Sequence, residues 1–325
     1  MKRGAVLLLV VVLASTAYSA AETVRVALDW TPNTNHTGLL VAKKLGFFDA
    51  VGLELRLLEP GPTVALQLVA IGQAEFGISS EEYVVMARAQ GIPVVSIAAF
   101  YLHNTSGFAS PSDCEIRSPR DFAGRTYAGW GSEMEEVMIR TVMELDGADP
   151  NDVRIVSIGT IDFTTAVRLG VADVYWIFYG WQGIHAEIEG IAFDYLPLRE
   201  LAEVLDYDTP VLITSERMVR DHPNRVARFL EAVARGYTAA AADPDGSAEA
   251  LLEYAPELDR ELVVASQRWL AGESEVEMSA WGWQDEEAWV EFAAWAWANG
   301  LIENQIDARA AFTNAFLPGF AEDGE

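Results

Sequence analysis

Residues 24–58 read VRVALDWTPNTNHTGLLVAKKLGFFDAVGLELRLL. The segment opens on an alternating run with β-branched residues at 24–28, which predicts a half-buried strand. A polar loop follows from Asp29 to His36. An apolar-periodic stretch at 38–45 predicts a helix stopped by Gly46, and 53–58 predicts a second strand. Strand, helix and strand within thirty-five residues is a βα unit, and such units build parallel sheets flanked by helices.

The pattern continues outward. Helices are predicted at 63–71 and 81–90, with strands at 76–78 and 94–100. After a loop at Pro111-Ser112-Asp113 it restarts, with strands at 125–128, 153–157 and 174–178 and helices at 133–144 and 162–169. The helix at 133–144 follows Ser132, with Glu135 at the capping-box position. Beyond Pro210 the chain is expected to be mostly helical, at 224–241, 247–254, 258–270, 284–298 and 306–316. Two α/β units followed by a helical return predict two lobes joined by a double crossover. The first lobe takes residues 22–108 and 211–325, the second 109–210.

The 325 residues carry 22 Lys and Arg against 49 Asp and Glu, a formal charge of -27. That balance argues against nucleic acid, whose phosphates need clustered cations, and against docking on anionic lipid. A composition 51% hydrophobic and 10% aromatic supports a sizeable core. The single Cys114 excludes an internal disulfide framework and a multi-cysteine metal site. The four histidines form no metal-ligand spacing, and neither GxSxG nor a P-loop occurs. No catalytic constellation, cofactor or metal is indicated.

Residues 1–21 carry a basic start (Lys2, Arg3), an apolar run at 5–14 and small residues at 15–21, the pattern of a cleaved secretory signal. The run is shorter than the ~20 residues a bilayer span requires. A soluble protein of the periplasm or another extracytoplasmic space is expected.

Aromatic residues stand just past three predicted strands: Trp30 after 24–28, Trp130 after 125–128, and Trp176, Tyr179 and Trp181 around the end of 174–178. Open α/β sheets bind ligands outside the carboxyl ends of their strands. One such tryptophan is most simply core. Three at successive strand ends, beside amide, hydroxyl and carboxyl groups, suit a flat heteroaromatic ligand stacked on rings and read along its polar edge. Trp289, Phe292 and Trp295 fall on one helical stripe and read as packing.

Several motifs recur in order and with similar spacing in one known group. They are Asp29-Trp30-Thr31-Pro32-Asn33-Thr34-Asn35-His36-Thr37-Gly38, Gly46-Phe47-Phe48, Gly91-Ile92-Pro93-Val94 and His103-Asn104-Thr105-Ser106-Gly107-Phe108, followed by Gly129-Trp130-Gly131-Ser132, Trp176-Ile177-Phe178-Tyr179-Gly180-Trp181 and Thr209-Pro210-Val211-Leu212-Ile213-Thr214. Over 24–270 the chain resembles the thiamin-pyrimidine group of ABC-transporter substrate-binding proteins. The resemblance implies an α/β, two-lobed periplasmic-binding-protein fold of type II, each lobe a sheet flanked by helices, with a helical C-terminal return. It implies a non-enzymatic, monomeric protein that closes on a thiamin pyrimidine precursor, formylaminopyrimidine or hydroxymethylpyrimidine. Delivery would be to an ABC permease driven by its ATPase.

The cleft positions implied are Trp30, Asn33 and His36; Ser79, Glu81 and Tyr83; Trp130, Gly131, Ser132 and Glu133; and Trp176, Tyr179 and Trp181. The helix opening at Ser132 would offer backbone N–H groups to a ligand oxygen. The group resembles the thiamin pyrimidine synthases, whose pyridoxal-phosphate lysine and active-site histidine fall at Ser79 and Tyr83 here; their Cys-rich motif is also missing. Without that lysine no Schiff base forms. Ser80-Glu81 replaces the more usual Tyr-Gln, which bears on which pyrimidine edge is read. The same fold holding a larger flat ligand such as riboflavin is the alternative.

Overall fold

A computed structural model describes residues 21–274 and 279–319. The expected signal segment therefore lies outside the described residues but for Ala21.

Ten strands form two five-stranded sheets. The first holds β1 (Glu22–Ala27), β2 (Leu53–Leu58), β3 (Phe76–Ser79), β4 (Val94–Ala99) and β10 (Val211–Ser215), in the order β2-β1-β3-β10-β4. The second holds β5 (Ser106–Pro111), β6 (Thr126–Gly129), β7 (Arg154–Ser157), β8 (Val174–Phe178) and β9 (Phe193–Pro197), in the order β7-β6-β8-β5-β9. Each sheet has four strands running one way and one antiparallel strand in the fourth place, β10 or β5, that enters from the other lobe. The chain crosses between β4 and β5 and returns between β9 and β10. The two lobes and the double crossover agree with the sequence reading. The first crossover is complete by Ser106, where β5 begins.

Local chemistry explains the elements. In β1, Val24 and Val26 are fully buried, while Arg25 turns outward and pairs with Glu75 at 2.6 Å. β4 is buried at every residue, as a strand covered on both faces must be. Helix Pro223–Ala242 starts with proline at its first turn and buries Val226, Phe229, Leu230, Val233 and Tyr237 at three- and four-residue spacing. Phe229 stacks on Phe76 of β3 with ring centroids 3.7 Å apart, fixing this helix under the first sheet.

Three strands were not expected. β5 is small, polar and ends in proline, β9 sets Asp194 and Pro197 among larger residues, and β10 is a short apolar run in a stretch to which no element was assigned. Conversely, the helix expected at 306–316 is a single 3-10 turn, Ala308–Ala310. The segment instead runs beside β4, the edge of the first sheet: Ser96 N–H donates to Ala311 O and Thr313 N–H to Ser96 O, both at 2.9 Å. Covering an exposed edge outweighs local helix propensity there.

Helix Glu286–Ala298 spans the two lobes from one side. Trp289 and Phe292 are buried in an apolar cluster that also contains Val84 and Val85 of the first lobe and Tyr127 and Met138 of the second. Trp289 Nε1 donates to Asp208 Oδ2 at 2.9 Å, and Trp295 Nε1 to Thr141 Oγ1 at 3.3 Å. The stripe is packing, as its spacing predicted. Among the described residues no helix is long and apolar enough to cross a membrane.

Candidate functional site

The carboxyl ends of β1, β3, β6 and β8 carry the residues the sequence singled out. Past β1, the loop 28–36 is organised by its own side chains. Asn33 N–H donates to His36 Nδ1 at 3.2 Å, so that nitrogen is an acceptor and Nε2–H donates to Asp29 Oδ1 at 2.9 Å. His36 is fully buried with both ring nitrogens engaged. Asn33 caps the turn that follows, its Oδ1 accepting from Asn35 N–H at 2.9 Å and its Nδ2 donating to Thr31 O at 3.0 Å. These two predicted contacts are thus internal supports. What they present is the Asp29 carboxylate, one-third exposed, and the Trp30 indole, 49% exposed. Asp29 was inside the quoted motif but not singled out; its place directly past a strand was the signal.

Past β6, the loop 129–132 is held by one buried carboxylate. Glu135 Oε1 accepts from Trp130 N–H at 2.9 Å and from the Tyr127 hydroxyl at 2.6 Å; Oε2 accepts from Ser132 N–H at 2.7 Å and from its hydroxyl at 3.0 Å. The capping box read from Ser132 and Glu135 is present. Ser132 N–H is thereby spent on Glu135 and is not among the backbone N–H groups this helix start could offer a ligand oxygen. Glu133 points to solvent from the helix start. Gly129 leaves room for the carboxylate, since a Cβ there would lie 1.5 Å from Glu135 Oε1. Gly131 takes φ 86°, and a Cβ there would press on Ser157 at 2.6 Å.

The half-buried Trp130 ring meets Trp176 of β8 edge to face, centroids 5.0 Å apart at 73°, and Phe178 at 6.4 Å. Trp176 is buried and its Nε1–H has no hydrogen-bonding partner among the described residues. A cavity of about 20 Å³ lies behind these rings, bounded by Ile161 and Gln182 among others. That is room for about one water, not for a ring.

Tyr179 and Trp181 go elsewhere, which corrects the reading of one aromatic surface around β8. Tyr179 packs on Tyr195 at 4.8 Å and on Trp269 at 5.1 Å, with its hydroxyl on Glu187. Trp181 packs with Leu40 and Val41 of the first lobe. The intervening Gly180 carbonyl accepts from Ser266, whose hydroxyl lies 2.6 Å from Thr34 Oγ1. These residues join the lobes. The chain turns there because a π-helix, Tyr179–Gly183, follows β8.

At the end of β3, Ser79 is buried and paired with Val211 of β10. Helix Glu81–Ala89 then begins with two buried carboxyls. Glu81 Oε2 accepts from Asp208 N–H at 2.8 Å, and Glu81 N–H donates to Asp208 O at 2.9 Å. Glu81 therefore faces the crossover rather than the ring pair. Tyr83 is half-exposed; partial burial and the charges of Glu82 and of Glu135 in the other lobe raise its phenol. Residues that carry this region but were not singled out are Glu82, Tyr207 and Asp208. Only their burial in the assembled crossover distinguishes them.

The arrangement thus offers stacking faces from Trp130 and Trp30, one buried indole donor, one positioned carboxylate and a phenol. Among the described residues no three His, Cys, Asp or Glu side chains are placed to hold a metal ion.

Comparison with known proteins places this geometry. The family described as NMT1/THI5 like matches residues 33–247. The chain is similar to a formylaminopyrimidine-binding protein of Halalkalibacterium halodurans, 31% identical over 235 residues covering 72% of this chain and 71% of that protein. It is also similar to a 4-amino-5-hydroxymethyl-2-methylpyrimidine phosphate synthase of Legionella pneumophila, 28% identical over 250 residues covering 74% and 76%. The periplasmic aliphatic sulphonate binding protein SsuA of Escherichia coli superposes with TM-score 0.72 at 15% identity, covering 91% of this chain and 99% of that one. The chain has the two-lobed periplasmic-binding-protein fold and belongs to the NMT1/THI5 like family.

Proposed function

We propose that this protein is the solute-binding component of an ABC importer and captures a thiamin pyrimidine precursor, formylaminopyrimidine or hydroxymethylpyrimidine, between its lobes. The observation that carries the reading is the indole pair at the ends of β6 and β8. Trp130 and Trp176 are rigidly seated by Glu135 and edge-to-face packing, and Trp176 keeps a buried, unpartnered N–H. Stacking supplies affinity for a flat ring, and an unmet buried donor supplies direction. Asp29, held by His36, accepts from the ring's exocyclic amine. Closure links the lobes, and the closed form is the one a membrane permease driven by an ATPase engages.

Ser79 supports transport over synthesis. It stands where the resemblance places the synthases' lysine, buried in β3 and without an amine to carry pyridoxal phosphate. The test is calorimetric titration of the ligand-stripped protein with formylaminopyrimidine, hydroxymethylpyrimidine, thiamin and riboflavin. One-to-one binding of a pyrimidine is expected. Riboflavin binding with silent pyrimidines replaces the cargo, and silence across the panel overturns the reading.

A further inference from the structure

The two crossovers are tied together and to both neighbouring helices by acidic groups. Asp206 accepts from Asn104 N–H at 2.8 Å and sits 2.7 Å from His103 Nδ1, joining the second crossover to the first. Asp208, two residues on, exchanges two hydrogen bonds with Glu81 and accepts one from Trp289. Glu82 follows Glu81 in the same helix turn. Glu81 is fully buried, Glu82 is 7% exposed and Asp208 is partly buried.

Among the described residues no cation balances them: none of the three forms an ion pair with Lys or Arg, although fourteen such pairs occur elsewhere. The titratable neighbours are acidic or phenolic from every side: Tyr83 on the same helix, Asp206 and Tyr207 on the crossover, and Asp285 at the cap of the C-terminal helix. The one imidazole nearby, His103, is already on Asp206. Among the described residues Ser80 Oγ, Glu81 Oε1, Glu82 Oε2 and Tyr207 Oη are buried without a well-formed hydrogen bond, and the Ser80 and Tyr207 hydroxyls close to Glu82 offset its burial only in part. A carboxylate in such a place is relieved either by binding a proton or by reaching water.

We propose that Glu81, Glu82 and Asp208 form a proton-operated latch on the hinge, protonated and dry when the lobes are closed, ionised and hydrated when they open. Asp208 lies on the second crossover, three residues before β10, and its partners Glu81 and Trp289 belong to helices packed beside it. Opening that loosens these bonds would let water reach the cluster. Each carboxyl that ionises on opening releases one proton, and closure takes it back.

The latch rests on the closure reading above but not on the cargo. It is tested by small-angle scattering of the ligand-free protein across about pH 5 to pH 9. The radius of gyration is expected to grow with pH and to level off once pH passes about 7, the value to which burial raises Glu82. Glu82→Gln removes one proton from the transition and makes it shallower; Asp208→Asn, which keeps an acceptor for Trp289, does the same should the first variant fold poorly. A radius that contracts with ligand but ignores pH overturns the latch and leaves binding intact. A radius that ignores both overturns closure and the latch together. A pH response of full size in both variants assigns the effect to other groups and overturns the latch.

Discussion

Glu135 and Trp130 are joined through backbone and carboxylate: the indole that offers a stacking face hangs from an N–H held 2.9 Å from Glu135 Oε1. The same carboxylate accepts from Tyr127 and Ser132, and it is 1% exposed. Removing it strands several buried donors, each costing roughly 1–3 kcal/mol. Glu135→Ala is expected to destabilise the protein by about 3 kcal/mol or more. It should also loosen Trp130, weakening ligand binding beyond what partial unfolding explains. Urea denaturation and titration of the folded variant check both. Unchanged stability contradicts the role given to this carboxylate.

The two indoles do different work, and different substitutions separate them. Trp130→Ala removes a stacking face worth about 1–3 kcal/mol for a heterocycle, so affinity is expected to fall roughly five- to 150-fold. Trp176→Phe keeps an aromatic ring in the edge-to-face contact and removes only the unpartnered Nε1–H. A loss of about 1 kcal/mol, near fivefold in Kd, is expected there with the fold intact. Trp297→Ala, on the exposed side of the C-terminal helix, serves as the control. If Trp176→Phe binds as tightly as the parent, the indole donor has no ligand partner.

His36 acts through Asp29. Its ring is fully buried between the Asn33 N–H and the Asp29 carboxylate. His36→Leu keeps bulk but leaves Asn33 N–H without its acceptor and Asp29 without its donor. Stability is expected to drop by about 1–3 kcal/mol, and affinity for an aminopyrimidine should fall together with that of Asp29→Asn. A double-mutant cycle measures the link: additive losses show the two residues acting separately.

Much of this was legible because it is local. The βα periods, the Ser132–Glu135 capping box and the Trp289–Phe292 stripe depend on near neighbours in sequence, and each appears where its spacing placed it. The strand-end rule singled out Trp30, Trp130 and Trp176, and the fold sets the last two in edge-to-face contact. What failed is non-local. β10 is a strand because it pairs with both β3 and β4, partners over a hundred residues away. The segment after Ile306 is extended because β4 needs an edge partner. Asn33 and His36 carry the polarity of ligand contacts, yet their hydrogen bonds close on their own loop. Tyr179 and Trp181 sit at the right strand end but leave it along a π-helix that periodicity does not forecast. Glu81 looked like a cleft residue until the second crossover put Asp208 on it.

The buried carboxyls also set how stability depends on pH. Burial raises Glu82 to about 7, opposed only by its hydroxyl and backbone neighbours, whereas an unfolded glutamate titrates near ~4.3. A group whose folded value lies above its unfolded value favours the folded state when protonated. Its contribution is complete below about pH 4 and is lost as pH rises through about 7, at about 1.4 kcal/mol per unit of separation. Glu22 and Glu75 have the opposite sign, each lowered by arginine partners against the cost of burial. Their contribution is lost only as pH falls through the acid range, so it is constant between about pH 5.5 and about pH 8.5. In that window the protein is expected to lose stability as pH rises, by a few kcal/mol. Glu82→Gln should match the parent only below about pH 4, already exceed it at the acid end of the window, exceed it most at the alkaline end, and show the smaller slope. Urea midpoints at three pH values decide this, and a parent whose stability climbs across the window, or a variant with the parent's slope, shows that Glu82 is not protonated in the folded state.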